Sequence, residues 1–366
     1  MASGKVAGAE LAQRSISTIL ANQAPNGSFV AAPNFPQYQF AWLRDGSFIS
    51  EALDVLGESN AAGRFHDWVA ALVVGSAAGL ERASAAVAAG KTPSPDDYLH
   101  CRYRLDGGRG NEDWPTFQLD GPGIWLWSLG VHARHGGPVT SDHLRAANLV
   151  AHYLSSLWPC PSYDAWEEFP EHVHTSTLAA ILAGLESFHM VAPEAWDRNL
   201  ASARDAIATF FEESTEPFTK WKGSNEVDGS LVWLSAPYDL VGRCPARFAA
   251  TLEQIERDLV TPDGGVHRYR SDTYYGGGEW ILLAASLGRA YLRRGSAGDV
   301  GRAARCLRWI EGQAQPDFTL PEQVSTRALH PECIQEWVDR WGPSARPLLW
   351  SHANYLLLRH ELMNDR

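Results

Sequence analysis

The chain has 366 residues, of which 45% are hydrophobic, and its formal net charge is −12. A large core can form from this composition, and the acidic balance argues against nucleic acid and anionic membranes as partners. No apolar run reaches the length of a membrane-spanning helix.

Two kinds of helix alternate along the sequence. One kind has an apolar stripe and a charged face, as in helices with one side in water, and its pattern covers 6–20, 65–73, 144–154, 196–210, 248–259 and 300–310. The other kind is apolar nearly all round, as in helices buried on every side, and it covers 48–56, 123–131, 178–188, 230–240, 280–291 and 348–358. The alternation predicts an all-α fold, an (α/α)6 barrel of six helical hairpins, with residues 1–366 as one domain. Residues 91–113 interrupt the pattern as a hairpin or extended arm whose role stays open.

The loops that precede the buried helices are rich in aromatic, acidic and glycine residues. They are 42–46, 112–121, 163–174, 224–229, 268–280 and 319–324. In an alternating barrel these loops all emerge at the same end, so their side chains meet at one mouth. We expect the functional site there, because convergent polar and aromatic groups are typical of ligand sites. The 15 tryptophans of the chain also suit stacking on sugar rings.

Residues that bind metals or form disulfides lack the usual spacing. The 5 cysteines are odd in number, and none lies in a C-x-x-C pair. His172 and His174 are spaced as a metal pair without a third ligand nearby, which favours a structural or hydrogen-bonding role. We therefore expect no metal and no cofactor. The N-terminal pattern is an amphipathic helix and not a signal peptide, which predicts a cytoplasmic protein; the oligomeric state stays open.

Carboxylates on two separate loops have the chemistry that hydrolysis of a glycosidic bond needs. Glu167 and Glu168 follow Trp166 just before a helix, and apolar contact raises the pKa of a carboxyl group towards that of a general acid. A second carboxylate must act on the other face of the sugar ring, and Glu322 lies on a distant loop of the same rim. Ordinary acidic loops are the alternative, and rival carboxylates follow at Glu332 and Glu336.

Arg44 and Asp45 form an adjacent donor and acceptor that can hold neighbouring sugar hydroxyls through charge-assisted hydrogen bonds. Arg268 and Asp272 repeat this chemistry on another loop. The alternative for the first pair is a structural ion pair at a helix N-terminus.

Four segments together resemble motifs of glycoside hydrolase family 15, the inverting glucoamylase family, over nearly the whole chain. They are Tyr38-x-x-x-Trp42-x-Arg44-Asp45, Tyr163-Asp-x-Trp166-Glu167-Glu168, Arg268-Tyr269-x-x-Asp272-Thr273-Tyr274-Tyr275, and Leu320-Pro321-Glu322-Gln323 with Pro347-Leu348-x-Trp350-Ser351-His352. The resemblance implies that Glu167 is the general acid and Glu322 the general base. It also implies a substrate-binding set, to which we add Trp114, Asp272 and Tyr274 from the same loops: Trp42, Arg44, Asp45, Trp114, Trp166, Glu168, Arg268, Asp272, Tyr274 and Trp280.

Tyr38, in the first of these motifs, is a third catalytic candidate. Its phenol could reach the region near Glu322 and orient the attacking water, or take the proton of that water if the phenol pKa were lowered. We expect Tyr274 to fix Tyr38 by a hydrogen bond. The alternative is that both tyrosines only shape the rim of the pocket.

The resemblance implies an inverting exo-hydrolase that releases β-glucose from an α-glucoside, with the two carboxyl groups about 6.5–9.5 Å apart. The sequence begins with the first barrel helix and stops soon after the last, without a starch-binding module. We therefore expect a short oligosaccharide as partner, with α-1,6 links as in isomaltose, and neither nucleic acid nor membrane. The alternatives are a maltooligosaccharide glucoamylase, a trehalase, and a non-hydrolytic (α/α)6 carbohydrate-binding protein or epimerase.

Overall fold

A computed structural model describes residues 2–110, 113–214 and 216–364, with side chains from residue 8 on. Glu112, predicted in the second acidic loop, lies outside the described residues. The helices are α1 (Ala2–Ala21), α2 (Leu43–Val55), α3 (Ser59–Gly75), α4 (Ala77–Ala88), α5 (Asp120–Arg134), α6 (Ser141–Leu157), α7 (Thr175–Val191), α8 (Arg198–Glu212), α9 (Pro245–Asp258), α10 (Ile281–Arg294), α11 (Asp299–Gln313), α12 (Ile334–Trp341) and α13 (Leu349–Asn364).

The fully buried elements form a closed inner ring. The ring runs α2, α5, α7, the 3-10 segment Gly229–Leu234, α10 and α13, and α13 contacts α2 again. Outer helices pack on this ring, with α3 against α2, α11 against α10 and α1 against α13. The arrangement confirms the predicted all-α (α/α)6 barrel, in which apolar-all-round helices lie inside and striped helices outside.

The fourth inner element is shorter than predicted. The sequence predicts a helix over 230–240, whereas regular structure ends at Leu234 of the 3-10 segment. Pro237 explains the difference, because proline lacks a backbone N–H and disfavours the α conformation of the residue before it. The gap that this leaves in the inner ring is filled by buried aromatic side chains such as Trp233 and Tyr238.

Two helices were not predicted, α4 and the short amphipathic α12, which lies after the sixth outer helix. Among the described helices none alone is long and apolar enough to span a membrane; α3 and α4 pass together by length and composition, but with a 62° bend between them. The predicted arm in 91–113 contains a strand, β2 (Arg102–Tyr103), which pairs antiparallel with β1 (Ala41–Trp42). A second small sheet pairs β3 (Glu279–Trp280) with β4 (Gln323–Val324). Both sheets lie where loops lead into inner helices, so they fix the mouth of the barrel.

Close packing sets the positions of the inner helices. A Cβ atom on Gly184 of α7 would lie 2.4 Å from the carbonyl oxygen of Gly123 on α5, so only glycine permits this approach. Across the ring, Phe48 of α2 stacks on Trp350 of α13 with ring centroids 5.1 Å apart. These contacts hold the N-terminal ends of the inner helices around one cavity.

Candidate active site

The mouth of the barrel contains a cavity of about 290 Å³, near the lower end of the range of about 300–1,000 Å³ for small-molecule sites. Five of the six predicted loops supply residues to its walls, and the fourth, 224–229, supplies none of the described lining residues. Of the residues predicted from the sequence, these line the cavity: Tyr38, Trp42, Arg44, Asp45, Trp114, Trp166, Glu167, Glu168, Arg268, Tyr274, Trp280 and Glu322.

Asp272 is the exception, and its predicted contact with the sugar is wrong. The side chain is fully buried and lies behind Arg268 instead of facing the cavity. Arg268 donates two hydrogen bonds to it, from Nε to Oδ2 at 2.8 Å and from Nη2 to Oδ1 at 2.5 Å. A buried guanidinium needs such a bidentate partner, because an unpaired charge in the protein interior is costly. Asp272 therefore orients Arg268, which faces the cavity.

Glu167 is held by one of its two carboxyl oxygens. Trp42 Nε1 donates to Oε1 at 2.6 Å and Gln118 Nε2 donates to the same oxygen at 3.2 Å. Arg44 Nη2 lies 3.9 Å from Oε1. All hydrogen bonds to this carboxyl group from the described residues reach Oε1, so Oε2 is the oxygen that can carry a proton towards a ligand.

The loop around Glu167 has an unusual backbone. The φ angles of Glu167 and Phe169 are 69° and 53°, in the left-handed region that residues with a Cβ rarely adopt. Asp164 stabilises the loop, since its Oδ1 accepts hydrogen bonds from the backbone N–H groups of Trp166 and Glu168, each at 2.9 Å. These contacts turn two successive glutamates towards one cavity.

A buried lysine reinforces that loop. Lys220 Nζ lies 3.2 Å from Asp164 Oδ2 and 3.1 Å from Asp228 Oδ2. Asp228 in turn accepts a hydrogen bond from Trp166 Nε1 at 3.0 Å. Burial lowers the pKa of Lys220, but the two aspartates outweigh burial and raise it. Lys220 is therefore a permanent cation that ties the loop of Glu167 to the loop before the fourth inner element.

Glu168 contacts the cavity from the other side of the same loop. Arg268 Nη2 lies 3.3 Å from Glu168 Oε1, and the Tyr269 hydroxyl donates to Oε2. Burial raises the pKa of Glu168, and Arg268 offsets part of that rise. Because both oxygens already accept hydrogen bonds, Glu168 is better placed to bind a hydroxyl group than to donate a proton.

Glu322 is almost fully buried, just before β4, where its backbone N–H donates to the carbonyl oxygen of Ala345 at 2.9 Å. Burial raises the pKa of its carboxyl group to about 7. Arg268 lowers that pKa, as do a side-chain hydrogen bond from Tyr38 and the neighbouring phenol of Tyr274. A carboxylate whose pKa lies near neutrality is suited to act as a general base.

The predicted contact between Tyr38 and Tyr274 is present, with the two hydroxyl oxygens 2.9 Å apart. Burial and the nearby Glu322 raise the pKa of both phenols well above its ordinary value. This direction argues against the alternative in which a lowered pKa lets Tyr38 take a proton from water. Tyr38 keeps its proton and can orient Glu322 or a water molecule by hydrogen bonding.

Arg44 and Asp45 occupy the first turn of α2 and are buried. Arg44 Nη1 donates to Gln118 Oε1 at 2.8 Å, whereas its Nε lies 3.5 Å from Asp45 Oδ2. Arg44 Nε and Asp45 Oδ2 have no hydrogen bond within the part of the chain that the structure describes. Burial raises the pKa of Asp45 to about 6, partly offset by Arg44. Because unsatisfied buried polar atoms cost free energy, this pair is ready to bind ligand hydroxyls.

One whole element of the lining, α12, was missed from the sequence, and it contributes Trp337, Arg340 and Trp341. The indole of Trp341 stacks on that of Trp114, with centroids 6.2 Å apart and planes at 23°. The aromatic residues at 337 and 341 are a helical i, i+4 pair, a signal that could have revealed this wall. The indoles of Trp337 and Trp341 also pack against Tyr274, with ring centroids 4.9 and 6.2 Å apart.

The other carboxylates and the histidine pair considered in the sequence analysis lie outside the cavity. The cavity lining includes neither Glu332 nor Glu336, and both are exposed. His174 Nε2 is 2.9 Å from the carbonyl oxygen of Phe169, and His172 stacks on Trp221 with centroids 4.0 Å apart. These contacts agree with the structural role predicted for the two histidines.

Comparison with known proteins defines the class. Residues 6–311 match the profile of the glycosyl hydrolases family 15, and the chain belongs to that family. It is 42% identical over 369 residues to the isomaltose glucohydrolase of Kribbella flavida, covering 96% of this chain and 92% of that protein. The structure of a wild-type glycosidase superposes with a TM-score of 0.91 at 40% identity over 99% of both chains. The glucoamylase of Hormoconis resinae, at 18% identity and a TM-score of 0.72 over 98% of this chain and 74% of that one, shares the fold.

Proposed function

We propose that the protein is an inverting exo-hydrolase that releases β-glucose from the non-reducing end of short α-glucosides, with α-1,6-linked isomaltose as a preferred substrate. One observation carries the proposal: Glu167 and Glu322 face the same cavity in different environments. Glu167 Oε2 is free to deliver a proton, whereas Glu322 has a pKa of about 7 and accepts one. Two carboxyl groups with separate acid and base roles are what inversion requires.

The proposed reaction assigns each proton. Glu322 removes a proton from water as the water oxygen attacks the anomeric carbon. The bond from that carbon to the glycosidic oxygen breaks, and the proton of Glu167 passes to the leaving oxygen. Arg44, Asp45 and Arg268 hold the hydroxyls of the non-reducing glucose, and Glu168 binds the leaving sugar.

Preference for a short α-1,6 substrate rests on two supports. The cavity is small, and the stacked Trp114 and Trp341 wall one side of it. The chain is also similar over most of its length to an isomaltose glucohydrolase. We also propose that the protein acts in the cytoplasm, and fractionation of the source cells tests this location.

Proton NMR of early turnover, before mutarotation, tests the reaction. We expect β-glucose from isomaltose, and α-glucose as the first product would overturn the base role of Glu322. Glucose release from isomaltose, isomaltotriose, maltose, trehalose and starch then tests the linkage. Preferred cleavage of trehalose or maltose would replace the α-1,6 assignment with a trehalase or a glucoamylase. Full activity of Glu322→Gln would favour an epimerase or lyase, which needs no carboxylate pair.

A further inference from the structure

A cluster of buried titratable side chains lies at the end of the barrel opposite the active site. Asp54 is near the end of α2, His66 is in the middle of α3, and His132 is near the end of α5. Asp54 follows Arg44 by ten residues on α2, so the cluster is about 15 Å from the cavity at 1.5 Å per residue. No step of the proposed reaction uses it.

Each member offers an atom that can bind a cation. One carboxylate oxygen of Asp54 and one ring nitrogen from each histidine lie within 4.8 Å of one another. The two imidazole rings have centroids 4.9 Å apart. Both histidines are fully buried, and the side chain of Asp54 is shielded as well. The three residues come from three different helices, so the barrel fold alone assembles them.

Some ring nitrogens of the cluster have no hydrogen-bond partner among the described residues. His66 Nε2 is 2.9 Å from Ser50 Oγ, and His132 Nδ1 is 2.8 and 3.0 Å from the two oxygens of Asp54. Within the described residues, His66 Nδ1 and His132 Nε2 are buried without a hydrogen-bond partner. A buried polar atom without a partner costs about 1–3 kcal/mol, so the unpartnered Nδ1 of His66 indicates that something else binds there.

We propose that Asp54, His66 and His132 form a buried structural site for one divalent cation, with Zn²⁺ as the expected metal. Two imidazole nitrogens and one carboxylate oxygen are a donor set that Zn²⁺ prefers, and water completes a tetrahedron. Ser50 orients His66 from behind, as second partners do in many zinc sites. The cation links α2, α3 and α5, which are two inner helices and one outer helix.

Binding requires only small movements. At zinc–ligand distances of about 2.0–2.2 Å, ligand atoms of a tetrahedron are about 3.3 Å apart. The distance between His132 Nδ1 and the Asp54 oxygen has to increase slightly from 2.8 Å, and the proton between these two atoms is lost. The largest distance between ligand atoms has to decrease from at most 4.8 Å. Rotation of the His66 side chain supplies that decrease. Because the site is enclosed, the metal is expected to enter as the chain folds and to exchange slowly afterwards.

The test begins with the full-length protein, denatured in chelator and refolded with and without Zn²⁺. We expect one zinc per chain by elemental analysis after removal of free metal, and a higher melting temperature than for the metal-free protein. Refolding with Co²⁺ should give the visible absorption bands of a four-coordinate site. No bound metal, with the same melting temperature in both preparations, would overturn the proposal.

Two variants separate the site from a general loss of packing. His66→Leu should refold without bound zinc, and its melting temperature should not depend on Zn²⁺. His143→Asn is the matched control: its ring is 6.1 Å from His66, but both nitrogens are hydrogen-bonded, to the backbone N–H of Thr140 and to Asp67. The control should keep one zinc per chain. Zinc retained by His66→Leu, or lost equally from both variants, would contradict the assignment of ligands.

Discussion

Replacing Tyr38 by Phe tests how the base is kept usable near neutral pH. Burial raises the pKa of Glu322 to about 7, and the hydrogen bond from Tyr38 is one of the interactions that restrain the rise. A hydrogen bond to the charged form of a carboxyl group favours that form. Tyr38→Phe removes the donor, so the pKa of Glu322 should rise further.

The size of the shift follows from the strength of one such bond. A hydrogen bond to a charged group contributes about 1.5–3 kcal/mol. Since one pKa unit corresponds to about 1.36 kcal/mol, the pKa of Glu322 should rise by about one to two units. A base must be deprotonated to work, so the acidic limb of the rate profile should move to higher pH by the same amount. On the plateau, kcat should still be low while KM changes little, because the water has lost an orienting group.

Profiles of kcat/KM against pH measure this limb for the free enzyme. Tyr274→Phe should move the limb in the same direction, because the hydroxyl of Tyr274 holds that of Tyr38 by a hydrogen bond and also lowers the pKa of Glu322. Tyr275→Phe is the control, since its hydroxyl donates to the carbonyl oxygen of Gly342 at 2.8 Å and to no carboxylate among the described residues. An acidic limb that stays in place or moves to lower pH in Tyr38→Phe would refute the reasoning. A near-normal kcat would mean that Tyr38 only shapes the pocket.

Three further changes test other parts of the site. Glu167→Gln should lower kcat by about 10²–10⁴-fold, and glucosyl fluoride, which needs little protonation, should recover much of the loss, whereas Glu322→Gln should show no such rescue. Glu322→Gln should also stabilise the fold at pH 8. The pKa of Glu322 is about 7 in the folded protein and 4.5 for an ordinary glutamate, so the native state loses up to about 3 kcal/mol of stability as pH rises through that window. Melting curves of both proteins at pH 4 and pH 8 measure the difference. Lys220→Met leaves Asp164 and Asp228 buried without their cation, so denaturant unfolding should show a loss of about 3–5 kcal/mol; an unchanged midpoint would mean that the loop does not depend on Lys220.

The barrel was predictable because burial on every side leaves a simple mark in the sequence. Apolar runs without a polar face predicted α5, α7, α10 and α13 at the right places in the ring. The same reasoning failed at 230–240, where apolar composition continues but Pro237 stops the hydrogen-bonded ladder. It also missed α12, whose aromatic residues are only partly buried and line the mouth of the barrel.

Within the site, the sequence identified groups that carry charge but not the groups that position them. Glu167, Glu322 and Arg268 lie in recognisable motifs, and each lines the cavity. Gln118, which binds both Arg44 and Glu167, carries no local signal, because its partners lie 74 and 49 residues away. Asp272 shows the opposite error: its motif was clear, but only the fold reveals that it faces Arg268 and not the cavity.

The acid loop shows why such support has to come from distant residues. Left-handed backbone at a residue with a Cβ costs of the order of 1–3 kcal/mol and persists only where the surroundings impose it. Glu167 and Phe169 both adopt it, and neither residue type announces that conformation in the sequence. The compensation comes from Asp164 within the loop and from Lys220 and Asp228 outside it. Loss of that cluster would let the backbone relax, and Glu167 Oε2 would no longer be directed into the cavity. The geometry of the proton donor is therefore a property of the assembled barrel, even though the glutamate itself can be read from the sequence.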